Sequence, residues 1–288
     1  MQIWPQRTAF MLRAIAAVVA LVVALAAAAI HSPTAAWVGP VVGAFVYLVT
    51  TRKYRRRRRL LTAPFPERWR EVLERRVAFY RGLGPDGRRR FEDDVRIFLA
   101  EQRIFADRGA TLDDETRLLI AASAAMLCHG MPDFEWPSLR DIVVYPRAFD
   151  EGYQTSNGAN IAGMVHAQGP ILFSQRELKL GFSRGDGHNV GLHELAHVID
   201  FADGRADGVP GDLEWVATAP WVALVARRLA ARRKRSGGVL RAYAGTNEAE
   251  LFAVAVEAFF EKPIELRRRD PELYAHLAEY FRQDPAGR

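Results

Sequence analysis

Cysteine is nearly missing from this chain: the one present, Cys128, excludes an internal disulfide framework. It follows the apolar stretch from Leu118 to Leu127, so it is expected to be a buried thiol of a helical core and not a nucleophile. A lone thiol suits a reducing compartment. A general surplus of positive charge is missing too, although the formal net charge is +6. Seven of the 40 basic residues crowd into one run, Arg52, Lys53 and Arg55 through Arg59; setting them aside leaves 33 against 34 acidic residues. The basic character is a local patch, so no nucleic-acid partner is expected for the folded domain. No internal repeat is present, and 288 residues with 49% hydrophobic content allow one sizeable core plus an appendage.

The appendage is the first sixty residues. From Ala14 to Ile30 every residue is Ala, Val, Leu or Ile, and a second uncharged run extends from Ala35 to Thr51. Each is near the minimum of about 17 residues for a membrane span. The short link His31-Ser32-Pro33-Thr34 joins them, which predicts a transmembrane helical hairpin with helices at about 14–30 and 35–51. Arg7 and Arg13 flank its start and the basic run 52–59 follows its end. By the positive-inside rule both flanks are cytoplasmic, so a bacterial-type inner-membrane protein with the rest of the chain facing the cytoplasm is expected. The basic run either fixes this topology or also binds anionic lipid head groups. A cleaved signal peptide competes with the anchor, but the second apolar run and the five consecutive arginines oppose it.

Beyond Pro64 the chain turns to charged amphipathic segments, and residues 61–288 read as one α+β, helix-dominated domain with a small β-sheet. Apolar positions from Trp69 to Tyr80 recur at helical spacing, Phe91 to Gln102 reads as a helix, and another covers Asp113 to Leu127. Asp141 to Tyr145 and Gly169 to Ser174 read as strands, with loop or hairpin in the Gly-rich section between Gly152 and Gly169. Helices are expected at about 189–202, 212–235, 247–261 and 270–283, with Gly237-Gly238 as a breaker and Asn247 as an N-cap.

The chemistry lies in His193-Glu194-Leu195-Ala196-His197. Two histidines four apart on a helix project from one face and can chelate one ion, while the glutamate between them can reach a water on it. The flanks Val190, Leu192, Leu195 and Val198 partly bury the motif, and a metal removes the cost of burying two imidazoles. A catalytic site needs a third protein ligand and an open position. The segment Tyr243 to Glu250 opens a second apolar helix, whose carboxylates Glu248, Glu250, Glu257 and Glu261 all compete for that role. Glu257 is also a candidate to orient a ligating histidine. Asp200 is either an outer-shell acceptor or a solvated helix end. His129, His166 and His188 are isolated, with the last two candidates to line the cleft.

Here the chain resembles the Mlc titration factor A family of zinc peptidases, gluzincin-like enzymes related to the anthrax lethal factor catalytic domain. The resemblance rests on His193 to His197 with Asp200, Ala242-Tyr243-Ala244, Ala249 to Val254 and Phe259-Phe260. Gly169-Pro170-Ile171 and Gln283-Asp284-Pro285 also fit, so it spans roughly 66–288. It implies a zincin-like fold with one Zn2+ per chain, held by His193, His197 and Glu250. It further implies that Glu194 is the general base and that Tyr243 stabilises the oxyanion or donates a proton. The strand before the metal helix would pair as an edge with an extended peptide. The expected function is thus a zinc-dependent metallopeptidase acting on a peptide or protein substrate through a Glu-activated, zinc-bound water, with aminopeptidase-like activity implied by the family. The alternative is a membrane-tethered regulatory protein that sequesters a transcriptional regulator. A third reading, an extracytoplasmic protease, requires inverted topology.

Overall fold

The computed structural model describes residues 6–107, 109–136, 141–150, 155, 161–165, 169–203, 207–210, 215–232 and 248–287. These are helix-rich with one small mixed sheet, and the chain divides into two units, Met1–Pro64 and Phe65–Arg288.

In the first unit α1 (Gln6–Ile30) continues the apolar run back through Arg13 and Arg7. A 3-10 turn, Pro33–Trp37, leads into α2 (Val38–Thr50), and α3 (Arg52–Leu60) carries the basic run. The hairpin closes on small residues. A Cβ on Gly43 would lie 2.5 Å from Ala20 Cβ, and one on Gly39 would lie 2.5 Å from Ala24 Cβ. Glycines four apart thus bring two helix backbones together, as in membrane helix pairs. Phe10, Val18, Leu21, Leu25, Val41 and Phe45 point outward and are exposed. The segments Thr8–Ile30 and Pro33–Thr50 are long and apolar enough to cross a membrane.

The second unit begins with α4 (Glu67–Arg76) and α5 (Ala78–Arg81), which the spacing predicts as one helix. They separate at Val77, whose backbone is extended and whose side chain is fully buried. Next, α6 (Pro85–Glu101) starts earlier than Phe91, because Pro85 takes the first helical position, where a missing N–H costs nothing. After β1 (Ile104–Ala106) comes α7 (Asp114–Cys128), buried without interruption from Leu118 to Cys128. This is the core helix. Cys128 is buried in it as expected, and burial pushes its thiol up to about 12.

The sheet adds β2 (Ile142–Tyr145), β3 (Gly163–Val165) and β4 (Ile171–Ser174) in the order β1-β2-β4-β3. β1, β2 and β4 are parallel, with Ile104 opposite Ile142 and Val143 opposite Leu172; β3 is antiparallel to β4, with Met164 opposite Leu172. The expectation that the strand preceding the metal helix is an edge is corrected here. β4 is paired on both sides, and the edge strand beside it is β3, from the section read as loop or hairpin.

Helix α8 (Gln175–Arg184) follows β4 without a loop, its N-cap Ser174 accepting from Glu177 N at 3.3 Å, and ends at Gly185 with φ +56°. Then come α9 (Val190–Asp200), α10 (Trp215–Arg232), α11 (Glu248–Glu261), α12 (Pro263–Arg269) and α13 (Pro271–Phe281). Gly237-Gly238 and Asn247 lie outside the described residues. Gln283 Nε2 donates to Met126 O at 2.8 Å, tying the C-terminal segment to the core helix.

The cap of that helix yields a measurable expectation. Asp113 accepts from Thr116 N at 2.8 Å, Thr116 Oγ1 at 2.6 Å and Lys179 Nζ at 2.6 Å. Burial opposes ionisation of Asp113, but the Lys179 and Thr116 hydrogen bonds outweigh it and hold the carboxyl below the usual range. A depressed folded pKa contributes stability above the unfolded value and loses it as pH falls through the folded one. Asp113→Ala should therefore cost about 1 kcal/mol at neutral pH. The gap to wild type should narrow as pH drops below about 3.9, as read by denaturant titration of the detergent-solubilised chain.

Candidate metal centre

Helix α9 buries Gly191, Leu192, Leu195, Ala196, Val198 and Ile199, which leaves His193, Glu194 and His197 on the side that meets α11 and the cleft. Its close seat on the core helix requires Gly191, since a Cβ there would fall 3.1 Å from Ser123 Cβ and clash with Ser123 Oγ. Helix α11 is apolar apart from its acidic residues, and Ala249 and Leu251 through Phe260 are all buried. Packing α11 antiparallel to α9 sets Glu250 against both histidines and Glu257 against His193 alone.

The resulting distances are nearly equal. His193 Nε2 lies 3.3 Å from His197 Nε2 and 3.3 Å from Glu250 Oε2, and His197 Nε2 lies 3.3 Å from Glu250 Oε1. Two atoms held about 2.0–2.1 Å from one first-row divalent ion at tetrahedral angles are about 3.3 Å apart. The three side chains thus fit one ion, as the only such group among the described residues. Glu257 Oε1 accepts from His193 Nδ1 at 2.6 Å. When the ring is neutral, Nδ1 donating there leaves the Nε2 lone pair turned toward Glu250, and a carboxylate held behind a histidine in this way orients it as a ligand. Of the four competing carboxylates, Glu250 is the one placed for a ligand role. Glu248 is exposed, and Glu261 bonds Asn189.

The electrostatics favour a cation. Burial disfavours charge on His193, but its hydrogen bonds to Glu250 and Glu257 outweigh it and raise the imidazolium to about 10. Burial likewise opposes the Glu250 carboxylate, yet His193 and His197 hold it down at about 2. Burial raises Glu194 to about 7, with His193 opposing and Glu250 and Glu257 reinforcing. A pocket that holds protons so tightly between carboxylates accommodates a divalent ion in their place.

Glu194 and His193 open into a cleft of about 360 Å³, within the range that holds small ligands or peptide side chains. Its walls are Ile161 and Ala162, which lead into β3, Gly163 at its start, and the face of α8 that carries Glu177, Leu180, Gly181 and Arg184. Of the two histidines that were candidates to line it, His188 does, whereas His166 lies outside the described residues. His129 is buried against Phe79, away from the cluster. Asp200 is fully buried, which removes the solvated helix-end reading. Tyr243 lies outside the described residues. Gly163 and Asn189 are site residues that sequence reasoning missed. Asn followed by an apolar helix was a readable N-cap signal, but the contact of Gly163 with Glu194 has no local signal.

Fold and site together define a helix-rich protein with a candidate single-ion centre between two antiparallel helices, opening into a cleft. The particular family follows from comparison. Residues 51–282 match the family described as glucose-regulated metallo-peptidase M90, and the chain belongs to that metallopeptidase family, as the sequence resemblance implied. It is 31% identical over 244 residues to an uncharacterized Synechocystis protein, covering 80% of this chain and 89% of that one. It is 29% identical over 226 residues to the Mlc titration factor A of Edwardsiella ictaluri (72% and 84% covered). With that of Salmonella gallinarum it shares 30% over 217 residues (66% and 77%).

A Cβ on Gly163 would lie 2.6 Å from both Glu194 Cγ and Oε1 and 2.7 Å from Val190 Cγ2. Gly163→Ala is therefore expected to displace the Glu194 carboxylate and lower peptidase activity about 100-fold, the cost of roughly 1 Å of misplacement. Metal content, read by elemental analysis, should be unchanged.

Proposed function

We propose that this chain is a membrane-anchored zinc peptidase with a zincin-like catalytic domain, in which His193, His197 and Glu250 hold one zinc ion and Glu194 is the general base. The observation that carries the reading is the set of three donor contacts at 3.3 Å between α9 and α11. When bound, the ion supplies Lewis acidity toward the scissile carbonyl and a water. Glu194 takes the proton of the attacking water as its oxygen adds to the carbonyl carbon, then returns it to the departing amine as the C–N bond breaks. Its burial suits this work, because a base held near neutrality accepts and releases a proton with little bias. Glu257 holds His193 in register, and the phenol of Tyr243 is assigned to donate a hydrogen bond to the carbonyl oxygen as charge grows there.

Among the described residues no strand pairs with the outer side of β3 beyond the Phe149–Ile161 bridge, and that edge, beside Glu194, is assigned as the place for an extended peptide to add as a further strand. An aminopeptidase-like preference is the family's implication for the substrate. Residues 1–60 are assigned as the anchor, supported by the two apolar helices and their outward-facing side chains. The basic run after the second span supports a cytoplasmic catalytic domain at a bacterial-type inner membrane. The name of these relatives, Mlc titration factor A, supports a second reading in which the chain binds and titrates a transcriptional regulator at the membrane.

The full chain in detergent should carry about one zinc per molecule and cleave members of a fluorogenic peptide panel. Glu194→Gln should keep the zinc and lose roughly 10²–10⁴-fold in turnover. Glu250→Ala should weaken zinc binding by more than the about 10–100-fold typical of outer-shell changes. Zinc without turnover against any peptide would favour the titration reading, and a chain that binds no zinc would overturn both the ligand set and the peptidase. In membranes the chain should resist alkaline carbonate extraction, with its C-terminus protected from protease added outside intact cells; release by carbonate would refute the anchor.

A further inference from the structure

The contacts between α9 and α11 form a ladder. Asn189, His193 and His197 are spaced four apart on one face of α9. Glu250, Glu257 and Glu261 form one stripe of α11 running the other way. Glu250 meets His197 and His193, Glu257 meets His193, and Glu261 meets Asn189. The first two rungs belong to the metal site described above. The third contains no candidate ligand, yet Asn189 is fully buried and heavily committed. Its Oδ1 accepts from Leu192 N at 3.2 Å, its Nδ2 donates to Glu261 Oε1 at 3.1 Å, and its backbone N–H donates to Glu257 Oε2 at 2.7 Å. Glu257 therefore bridges Asn189 and His193, one oxygen to each.

We propose that Asn189 and Glu261 are positioning residues of the metal centre, a latch that sets the register of the metal helix α9 against α11. The reasoning rests on the ligand reading above and on lengths. The candidate ligands come from two helices, so a slide of one helix along the other changes every donor-to-donor distance. One residue of slide is about 1.5 Å, while metal–ligand distances tolerate about 0.2 Å. Apolar contacts between α9 and α11 resist separation but resist sliding poorly, because they are non-directional. Hydrogen bonds at a buried rung do resist it. Asn189 suits the position because it serves two functions with one amide: its oxygen caps the helix and its NH2 reaches the second helix. Serine retains the first function only, and aspartate retains the cap but sets a carboxylate against a carboxylate.

The test is zinc affinity of the full chain in detergent, measured by competition with a chromogenic chelator. It is run at about pH 8, above the value near 7 to which burial raises Glu261. Thermal melting of the metal-free chain is recorded in parallel. Asn189→Ser should bind zinc at least tenfold more weakly with a melting curve close to wild type, a split that a purely structural cap would not produce. Asn189→Asp should be weaker still. Adding Glu261→Gln to it restores a donor-acceptor pair with reversed polarity and should recover most of the lost affinity. The latch is overturned if Asn189→Ser binds zinc like wild type, or if the double variant is no better than Asn189→Asp alone. A wild-type chain that takes up no zinc would instead overturn the ligand assignment, so the two failures are distinct.

Discussion

The second unit depends on the antiparallel packing of α9 on α11, two helices that are almost wholly buried yet carry six carboxylates and two imidazoles between them. Apolar packing alone does not tolerate such groups, because each buried polar atom without a partner costs on the order of 1–3 kcal/mol. The arrangement is self-consistent where His193 and His197 meet Glu250 and Glu257, because each group there has an opposite neighbour. The carboxylates raise His193, the histidines lower Glu250, and burial keeps Glu194 near neutrality. The same negative field that holds a proton on His193 attracts a divalent cation, which links the energetics of the fold to the chemistry of the family.

Small residues decide how closely the other elements approach this pair. Gly191 lets α9 lie on the core helix at Ser123, and Gly163 lets the edge strand lie on the Glu194 carboxylate. In the first unit Gly39 and Gly43 do the same for the apolar hairpin against Ala20 and Ala24. In each case the missing Cβ substitutes for a side-chain contact, and its function is to hold something else at a set distance. The unit of 65–288 thus gathers its site from one helix face, one acidic stripe and one strand end, with the core helix α7 behind them.

Much of this was readable along the chain because it is periodic or local. Apolar runs marked α1 and α2, helical spacing marked α7, α9 and α11, and β-rich runs bounded by Pro or Gly marked β2 and β4. The unread elements lacked local signals. β1 has three residues, α8 starts directly after the last residue of β4, and α4 and α5 share one amphipathic pattern although Val77 breaks them. The sheet order was not readable either, since strand pairing is settled by long-range contacts. That is why β4 passed for an edge strand when β3 takes that place.

At the site, His193, Glu194 and His197 were determined by the sequence itself, because a spacing of four on a helix is enough to bring two imidazoles to one face. The existence of a nearby acidic helix was determined in the same way. Which of its carboxylates faces the histidines was not. Glu248, Glu250, Glu257 and Glu261 are chemically equivalent in the sequence, and only the antiparallel crossing of α11 over α9 assigns them different partners. Tertiary structure also decided that Gly163 supports Glu194 from a strand 31 residues upstream. Helical periodicity is a property of neighbouring residues, whereas the register between two helices depends on the packing of the whole unit.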